Sequence, residues 1–536
     1  MINNINHSAP DGALSRLCRH DWLPFFAVIL LALGARIFFF QGIYAIDDFN
    51  YLRHAAEVWK GVYNFAGVLY WHGMRPMVFA PVAAMFKVFG ISEVSAVACS
   101  MIYSLLAVGI VYRVGVEMFG REAGFYTGVA AALFPSLVEE SSRVAPGSAI
   151  NVLLAASLLF FIRAENRDSK AWLQLFISGF LFASVQLAGP IGFLFGFFFL
   201  SAVLILRSKK MLSYWPFAAG FGVFALVFAL YQWKETGSPV AAAVLARNIL
   251  AAEPEPFRSF YYFKLMFLPP YAQAGMFYLA AAGSVVAVKE KRRAALVSAA
   301  AVAAMWLVLE FGSSSIVRYQ PLFKQSRYLT ILSLPAVLLA GYVLCRARKL
   351  VSALSGAGKT KRLGTAAALS VLLLMAASSI VRLNNEKNRT SARVREIHEV
   401  RDIVRKYKDR TIYVTHWLWN TRVGFFMKYD RAYFPSGYDP YHAVRMETMN
   451  RKSMNKYVQA LSAGDSLSPG LLINDESLLD ASRKRRSSYM VGENEIPAVM
   501  DSIPSEWRFA GRINVGSYGT AALYEIPGGR WPGRQP

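Results

Sequence analysis

Three cysteines in 536 residues, Cys18, Cys99 and Cys345, are too few and too scattered for a disulfide scaffold or a thiolate metal site. Acids are scarce too: 34 Asp and Glu stand against 58 Lys and Arg, a formal charge of +24. Such an excess suits nucleic acid, but no nucleic-acid-binding motif accompanies it, and nucleic acid is not expected as a partner. Much of the basic charge lies between apolar runs, where membrane topology needs it. His20, His54, His72, His398 and His416 lack HExxH or any comparable metal spacing. "SALSGAGKT" at 352–360 has Ala353 where a phosphate loop needs its first glycine, and no βαβ unit surrounds it. "NRT" at 388–390 matches a glycosylation acceptor, a triplet too common to weigh. There is no internal repeat, which argues against the repeat-built transporters.

Apolar residues are abundant. They make up 55% of the chain, the mean hydropathy is +0.34, and windows of apolar residues long enough for a bilayer recur along it. Eleven spans are expected, near 22–40, 94–114, 124–138, 149–162, 172–187, 191–206, 214–231, 271–288, 294–310, 329–345 and 365–380. The third and fourth are short enough to be one interrupted hairpin. The first run lacks a cleavage pattern and reads as a retained anchor. Basic turns alternate: Arg16 and Arg19, Arg113 and Arg121, "IRAENRDSK", "LRSKK", "KEKRR" and "CRARK…KTKR". The positive-inside rule then makes residues 1–21 a cytoplasmic N-terminus and puts the tail, 383–536, outside. Residues 22–382 form the membrane domain, with a first outer loop at 41–93. In the tail, "TIYVTHWLWNTRVGFFMKY" reads as a strand feeding a helix, and "GLLINDESLL" and "TAALYEIP" as strands. "RMETMNRKSMNKYVQAL" has helical spacing, so a small α/β domain is expected.

The first outer loop opens with "GIYAIDDFNYLRHAAEVWKG". From Asp48 to Trp59 it reads as an amphipathic surface helix. Tyr51, Leu52, Ala55, Val58 and Trp59 share one face; Arg53, His54, Glu57 and Lys60 share the other. Asp47 can cap that helix, which leaves the second carboxylate unexplained. A carboxylate at the edge of a low-dielectric layer is costly unless paired, yet it can orient and partly deprotonate a hydroxyl. "YWHGMRP" then brings His72 and Arg75 beside a second, proline-flanked apolar segment.

These motifs resemble the GT-C class of membrane glycosyltransferases, which use polyprenyl-phosphate sugars. The likeness rests on "DDFNYLRHAAEVWKG" followed by "RPMVFAPVAAMFKVFG", and covers roughly residues 20–380. "RYQPLFKQSRYLTILSLPAVLLAG" at 318–341 is similar to a late segment of the bacterial aminoarabinose transferases and protein mannosyltransferases. It has Leu334 and Pro335 but no proline directly after "RYLT". The resemblance implies a polytopic α-helical fold and an inverting transfer of a sugar from a polyprenyl-phosphate donor. The acceptor would be a hydroxyl on an extracytoplasmic glycolipid, glycan or protein, and the setting a bacterial inner membrane.

The resemblance also implies roles. Asp48 or Asp47 is the catalytic base, with Asp48 preferred. Arg327, Lys324, Arg318 and Arg75 are candidates for the donor phosphate, arginine being able to make a forked contact; headgroup anchoring to membrane lipids would use the same charges. Glu139 and Glu140, in "PSLVEESSRVAPGSA", with His72, Tyr51 and Tyr261 are candidates for the acceptor or for orientation. Phe260, Tyr261 and Tyr262 fit a sugar-stacking surface and an interfacial aromatic belt equally well. Members differ in metal dependence, so a divalent metal ion stays open. Two alternatives use the same charges: a lipid-linked polysaccharide polymerase or ligase, and a lipid-carrier flippase.

Overall fold

The computed structural model describes residues 22–65, 71–167, 170–206, 210–244, 260–269, 273, 275–313, 321–322, 324–354, 360–406, 411–414, 466–467, 469–475, 506–514, 520–527 and 529–530. The chain divides into two units. One comprises residues 1–40, 64–81 and 97–387; the other comprises 41–63, 82–96 and 388–536.

The first unit is helical. Its helices are α1 (Trp22–Phe38), then past α2 (Ile46–Trp59) and α3 (Pro76–Phe89), α4 (Glu93–Phe119), α5 (Arg121–Leu133), α6 (Pro135–Ser141) and α7 (Pro146–Asn166). There follow α8 (Ala171–Ser184), α9 (Gly196–Leu206), α10 (Trp215–Thr236), α11 (Tyr261–Phe267), α12 (Met276–Lys289), α13 (Arg293–Phe311), α14 (Leu329–Leu354) and α15 (Thr360–Lys406), of which residues 388–406 are assigned to the second unit. Among the described residues, five helical stretches are long and apolar enough to cross a membrane: Glu93–Phe119, Pro146–Asn166, Met211–Thr236, Arg293–Phe311 and Ser326–Val351. Five shorter apolar helices accompany them.

The expected span 124–138 is broken. Pro135 brings no N–H to the ladder and holds Phe134 extended, at φ −68° and ψ 117°, so α5 stops and the seven-residue α6 begins. The expected span 365–380 instead lies within the 47-residue α15, because no glycine or proline interrupts the chain from 365 to 406.

Small residues let backbones approach where side chains would not. A Cβ on Gly283 would lie 2.6 Å from the Leu339 carbonyl oxygen, so α12 meets α14 backbone to backbone. Gly179 and Gly220 do the same for α8 and α10, against the carbonyls of Phe217 and Phe176. In hydrocarbon, where burying apolar surface brings little gain, such close packing holds helices together. The most enclosed span is that of α14: 89% of its apolar window is buried inside the protein, with α5, α12 and α13 around it.

In the second unit, α2 starts two residues before the expected Asp48 and buries Phe49, Tyr51, Leu52, Ala55 and Ala56. His54, placed on the polar face by its spacing, is buried at 5% exposure; its Nδ1 lies 2.8 Å from Glu57 Oε2, and its ring packs edge-on against Tyr63. Burial lowers its pKa. Strands β1 (Thr411–Val414), β3 (Gly470–Asp475), β4 (Arg508–Asn514) and β5 (Thr520–Ile526) form a sheet ordered β1-β3-β5-β4. Its β1–β3 pair is parallel and the others antiparallel. β2 (Ser466–Leu467) pairs with β6 (Gly529–Arg530). The strands expected at 411, 470 and 520 are present, β4 was not anticipated, and the helix expected around 445–461 lies outside the described residues.

Candidate active site

Three proline-led restarts of the backbone shape the candidate site. Pro135 opens α6, which carries Glu139 and Glu140; Pro146 opens α7; Pro190 opens the 3-10 segment Pro190–Phe195. Between them lies a pocket of about 150 Å³. Arg75, Glu140 and Arg327 line it together with Pro146, Gly147, Ile150, Gly189, Pro190, Ile191, Leu322, Tyr328, Thr330 and Ile331. Arg75 stands between the 3-10 turn Trp71–Met74 and α3, where its carbonyl accepts from the Val78 N–H at 2.9 Å. Its Nε lies 3.9 Å from where a Cβ on Gly189 would be. Arg327 sits in the 3-10 turn Ser326–Tyr328 that leads into α14; its Nε donates to Gln325 Oε1, and its carbonyl accepts from Thr330 Oγ1 at 2.7 Å.

Glu140 is buried at 5% exposure. Its Oε2 lies 2.5 Å from the position a Cβ would take on Gly147, so the carboxylate sits against the first turn of α7. That is the positive end of the helix dipole, where a negative group is favoured. Two guanidinium groups against one carboxylate leave the pocket with surplus positive charge, set in apolar walls. Its chemistry suits an anion attached to something greasy.

Glu139 faces the other way. Its Oε1 is 3.8 Å from Arg382 Nε, with 22% of its side chain exposed. Burial pushes its carboxyl up to about 7, with Glu386 and Glu140 adding to the rise and Arg382 and Arg143 opposing it. His72 is buried at 2% exposure in the turn before Arg75.

Lys324, expected at the donor phosphate, is committed elsewhere. It is buried against Glu310, Nζ to Oε1 3.2 Å, and also donates to the carbonyls of Leu309 and Glu310. Glu310 in turn accepts from the amides of Tyr261, Tyr262 and Phe263 at 2.7–3.1 Å, capping α11. Lys324 also lies over the Tyr262 ring at 5.2 Å. Lys324 is therefore a structural counter-ion, and Tyr261 takes part in the same knot through its amide. Arg318 lies outside the described residues.

The acids of the first outer loop belong to the second unit. Asp48 is fully buried, and its Oδ2 accepts from the amides of Ala45 (2.9 Å) and Tyr44 (3.3 Å). The capping role expected of Asp47 is thus filled by Asp48, the third residue of α2, because the helix begins at Ile46. Asp47 is half-buried. Tyr51 is fully buried on the apolar face. Among the described residues, no group of three or more His, Cys, Asp or Glu side chains is placed to hold a metal ion.

A family profile described as dolichyl-phosphate-mannose-protein mannosyltransferase matches residues 72–233. The crystal structure of ArnT from Cupriavidus metallidurans in the apo state aligns with a TM-score of 0.63 at 14% identity, covering 95% of this chain and 98% of that one. The same protein bound to undecaprenyl phosphate aligns at 0.62 and 13%, covering 96% and 98%. The chain has a GT-C-like fold. The apo oligosaccharyltransferase of Archaeoglobus fulgidus aligns at 0.51 and 13% identity, over 78% of this chain and 65% of that chain. No curated protein matches the chain.

Sequence reasoning missed Gly147 and Tyr328 of the pocket lining. The signal for Gly147 was present as Pro-Gly opening an apolar run.

Proposed function

We propose that the chain is an inverting membrane glycosyltransferase that moves a sugar from a polyprenyl-phosphate donor to a hydroxyl of an extracytoplasmic glycolipid, glycan or protein. The observation that carries this reading is the pocket in which Arg75 and Arg327 outnumber Glu140 within apolar walls. In the proposed reaction, the anomeric C–O bond to the donor phosphate breaks as the acceptor oxygen forms its bond to the same carbon. Charge builds on the departing phosphate, and fixed guanidinium donors stabilise it most at that moment. A single displacement inverts the carbon. The acceptor's proton goes to a carboxylate of the first outer loop. Asp47, which is half-buried, is the better candidate on exposure, since Asp48 is fully buried beneath the start of α2. The proposed setting is a bacterial inner membrane with residues 1–21 cytoplasmic and the tail outside, in keeping with the alternation of basic turns.

The test is transfer in nanodiscs from a panel of radiolabelled polyprenyl-phosphate sugars into a membrane glycolipid extract, with and without EDTA. Arg327→Ala and Arg75→Ala should each lower transfer by about a hundredfold, the scale set by losing one preorganised donor to a developing anion. Asp47→Asn should abolish it, and EDTA decides whether a divalent metal takes part. Wild-type rates in both Asp47→Asn and Asp48→Asn would sink the base assignment. Binding of polyprenyl phosphate with no transfer from any donor would move the protein to the lipid-carrier flippases or polysaccharide polymerases.

A further inference from the structure

Arg36 lies in α1 and is fully buried, 0% exposed. Its Nε and Nη2 fork onto Ser104 Oγ of α4 at 2.9 and 2.8 Å, and its Nη1 donates to the carbonyls of Ala32 (3.0 Å) and Ala132 (3.2 Å). Ser104 passes the contact on: its hydroxyl donates to the Leu137 carbonyl at 3.2 Å. Ala132 is in the last turn of α5 and Leu137 in the first turn of α6. One guanidinium thus grips both sides of the break at Phe134–Pro135.

The hydrogen-bond acceptors are a hydroxyl and two carbonyls, and none is a carboxylate. An ionisable group buried in an apolar span is expensive, and an apolar side chain of the same length would fill the space at less cost. The break explains the choice. Ending α5 at Leu133 leaves its last carbonyls without intrahelical partners. A cation there satisfies one of them and meets the negative end of the α5 dipole. The other arm, through Ser104, fixes the start of α6, and Glu140 follows Leu137 by three residues on the same short helix.

We infer that Arg36 is a positioning residue for the pocket: through Ser104 it clamps the α5–α6 break and thereby sets where the Glu140 carboxylate stands beside Arg75 and Arg327. The consequence for transfer rests on the reading given under Proposed function; the clamp itself does not.

Two measurements separate these. Hydrogen exchange over residues 134–142 is compared in wild type, Arg36→Met and Arg36→Lys in nanodiscs, with 146–166 as internal reference. Arg36→Met should raise exchange in 134–142 and leave 146–166 unchanged; Arg36→Lys, which keeps the charge but not the fork, should lie between. The second measurement is a double-mutant cycle in kcat/KM with Glu140→Gln. Arg36→Met alone should lose about a hundredfold, as misplacement of a positioned group does, yet cost nothing further in the Glu140→Gln background. Additive losses with unchanged exchange over 134–142 would overturn the inference, because a merely stabilising arginine gives that pattern. If the wild type transfers no sugar, the proposed activity falls, while the exchange comparison still decides the clamp. If Arg36→Met does not fold, Arg36→Lys alone must show the intermediate exchange, and wild-type exchange in it overturns the clamp.

Discussion

Glu139 and Glu140 are adjacent and have opposite surroundings. Glu140 rests on a helix start, whereas Glu139 is held by burial at about 7. A carboxyl whose folded-state pKa stands above its unfolded value binds its proton more tightly in the native state. Its contribution is therefore whole below about pH 4.5 and is lost as pH rises through about 7. The melting temperature of wild type minus that of Glu139→Gln should fall between pH 5 and pH 8; a constant difference would show that the carboxyl does not titrate there. The Glu310–Lys324 knot makes a second prediction. Removing one member leaves a buried charge or orphaned amides, a loss of about 3–5 kcal/mol. Glu310→Ala, which strips the α11 cap as well, should cost more than Lys324→Met in denaturant unfolding. Equal losses would mean that the cap contributes little. Of the four basic residues expected at one site, Arg75 and Arg327 line a common pocket, whereas Lys324 turns back onto Glu310, which nothing local in the sequence reveals. The cap falls on Asp48 where Asp47 was expected, since which of them caps depends on a shift of two residues in where α2 begins.

The elements of the first unit are held by the small residues between them. A Cβ on Gly341 of α14 would run into Thr127 Oγ1 and lie 2.7 Å from the Thr127 amide nitrogen and 2.9 Å from the Ala123 carbonyl oxygen. Neither backbone can yield without opening the α5–α14 contact. Gly341→Ala should therefore destabilise by about 2–3 kcal/mol, read as a drop in melting temperature in detergent. Gly34→Ala, with nothing near its added methyl, is the control and should change little. The amphipathic α2 and the long spans were legible because period and length are properties of the chain itself. The break at Pro135 was harder: apolarity continues straight through it, and the expected span ran past the proline to residue 138. Among the strands, β4 escaped because "RFAGRIN" leaves its apolar face only Phe509 and Ile513, with Gly511 between them and a bulge in the register there.

At the scale of the whole chain, the alternating basic turns make the strongest topological statement. In a background lacking Cys18, an impermeant thiol reagent should label Arg508→Cys from outside in intact cells and leave Leu350→Cys untouched until the membrane is opened. The opposite pattern would invert the orientation. Both positions are exposed, Arg508 by 79% of its side chain and Leu350 by 62%, while Cys99 and Cys345 are buried. Eleven spans were expected; among the described residues five helices are long and apolar enough to cross a membrane, with five shorter apolar ones beside them. Hydropathy counts apolar runs, but a helix ends where its backbone ends, and α5, α6 and α15 do not end where the apolarity does.

The enclosure of α14 also imposes an order on synthesis. The helices that surround it, α5, α12 and α13, all leave the ribosome before it does. Until residue 354 has emerged, their glycine- and alanine-lined faces point at a neighbour that has not yet been made. Nascent chains stalled ahead of residue 326 would thus be open-centred bundles, fit for a membrane chaperone to hold or a quality-control protease to remove, and arrival of this one helix closes them.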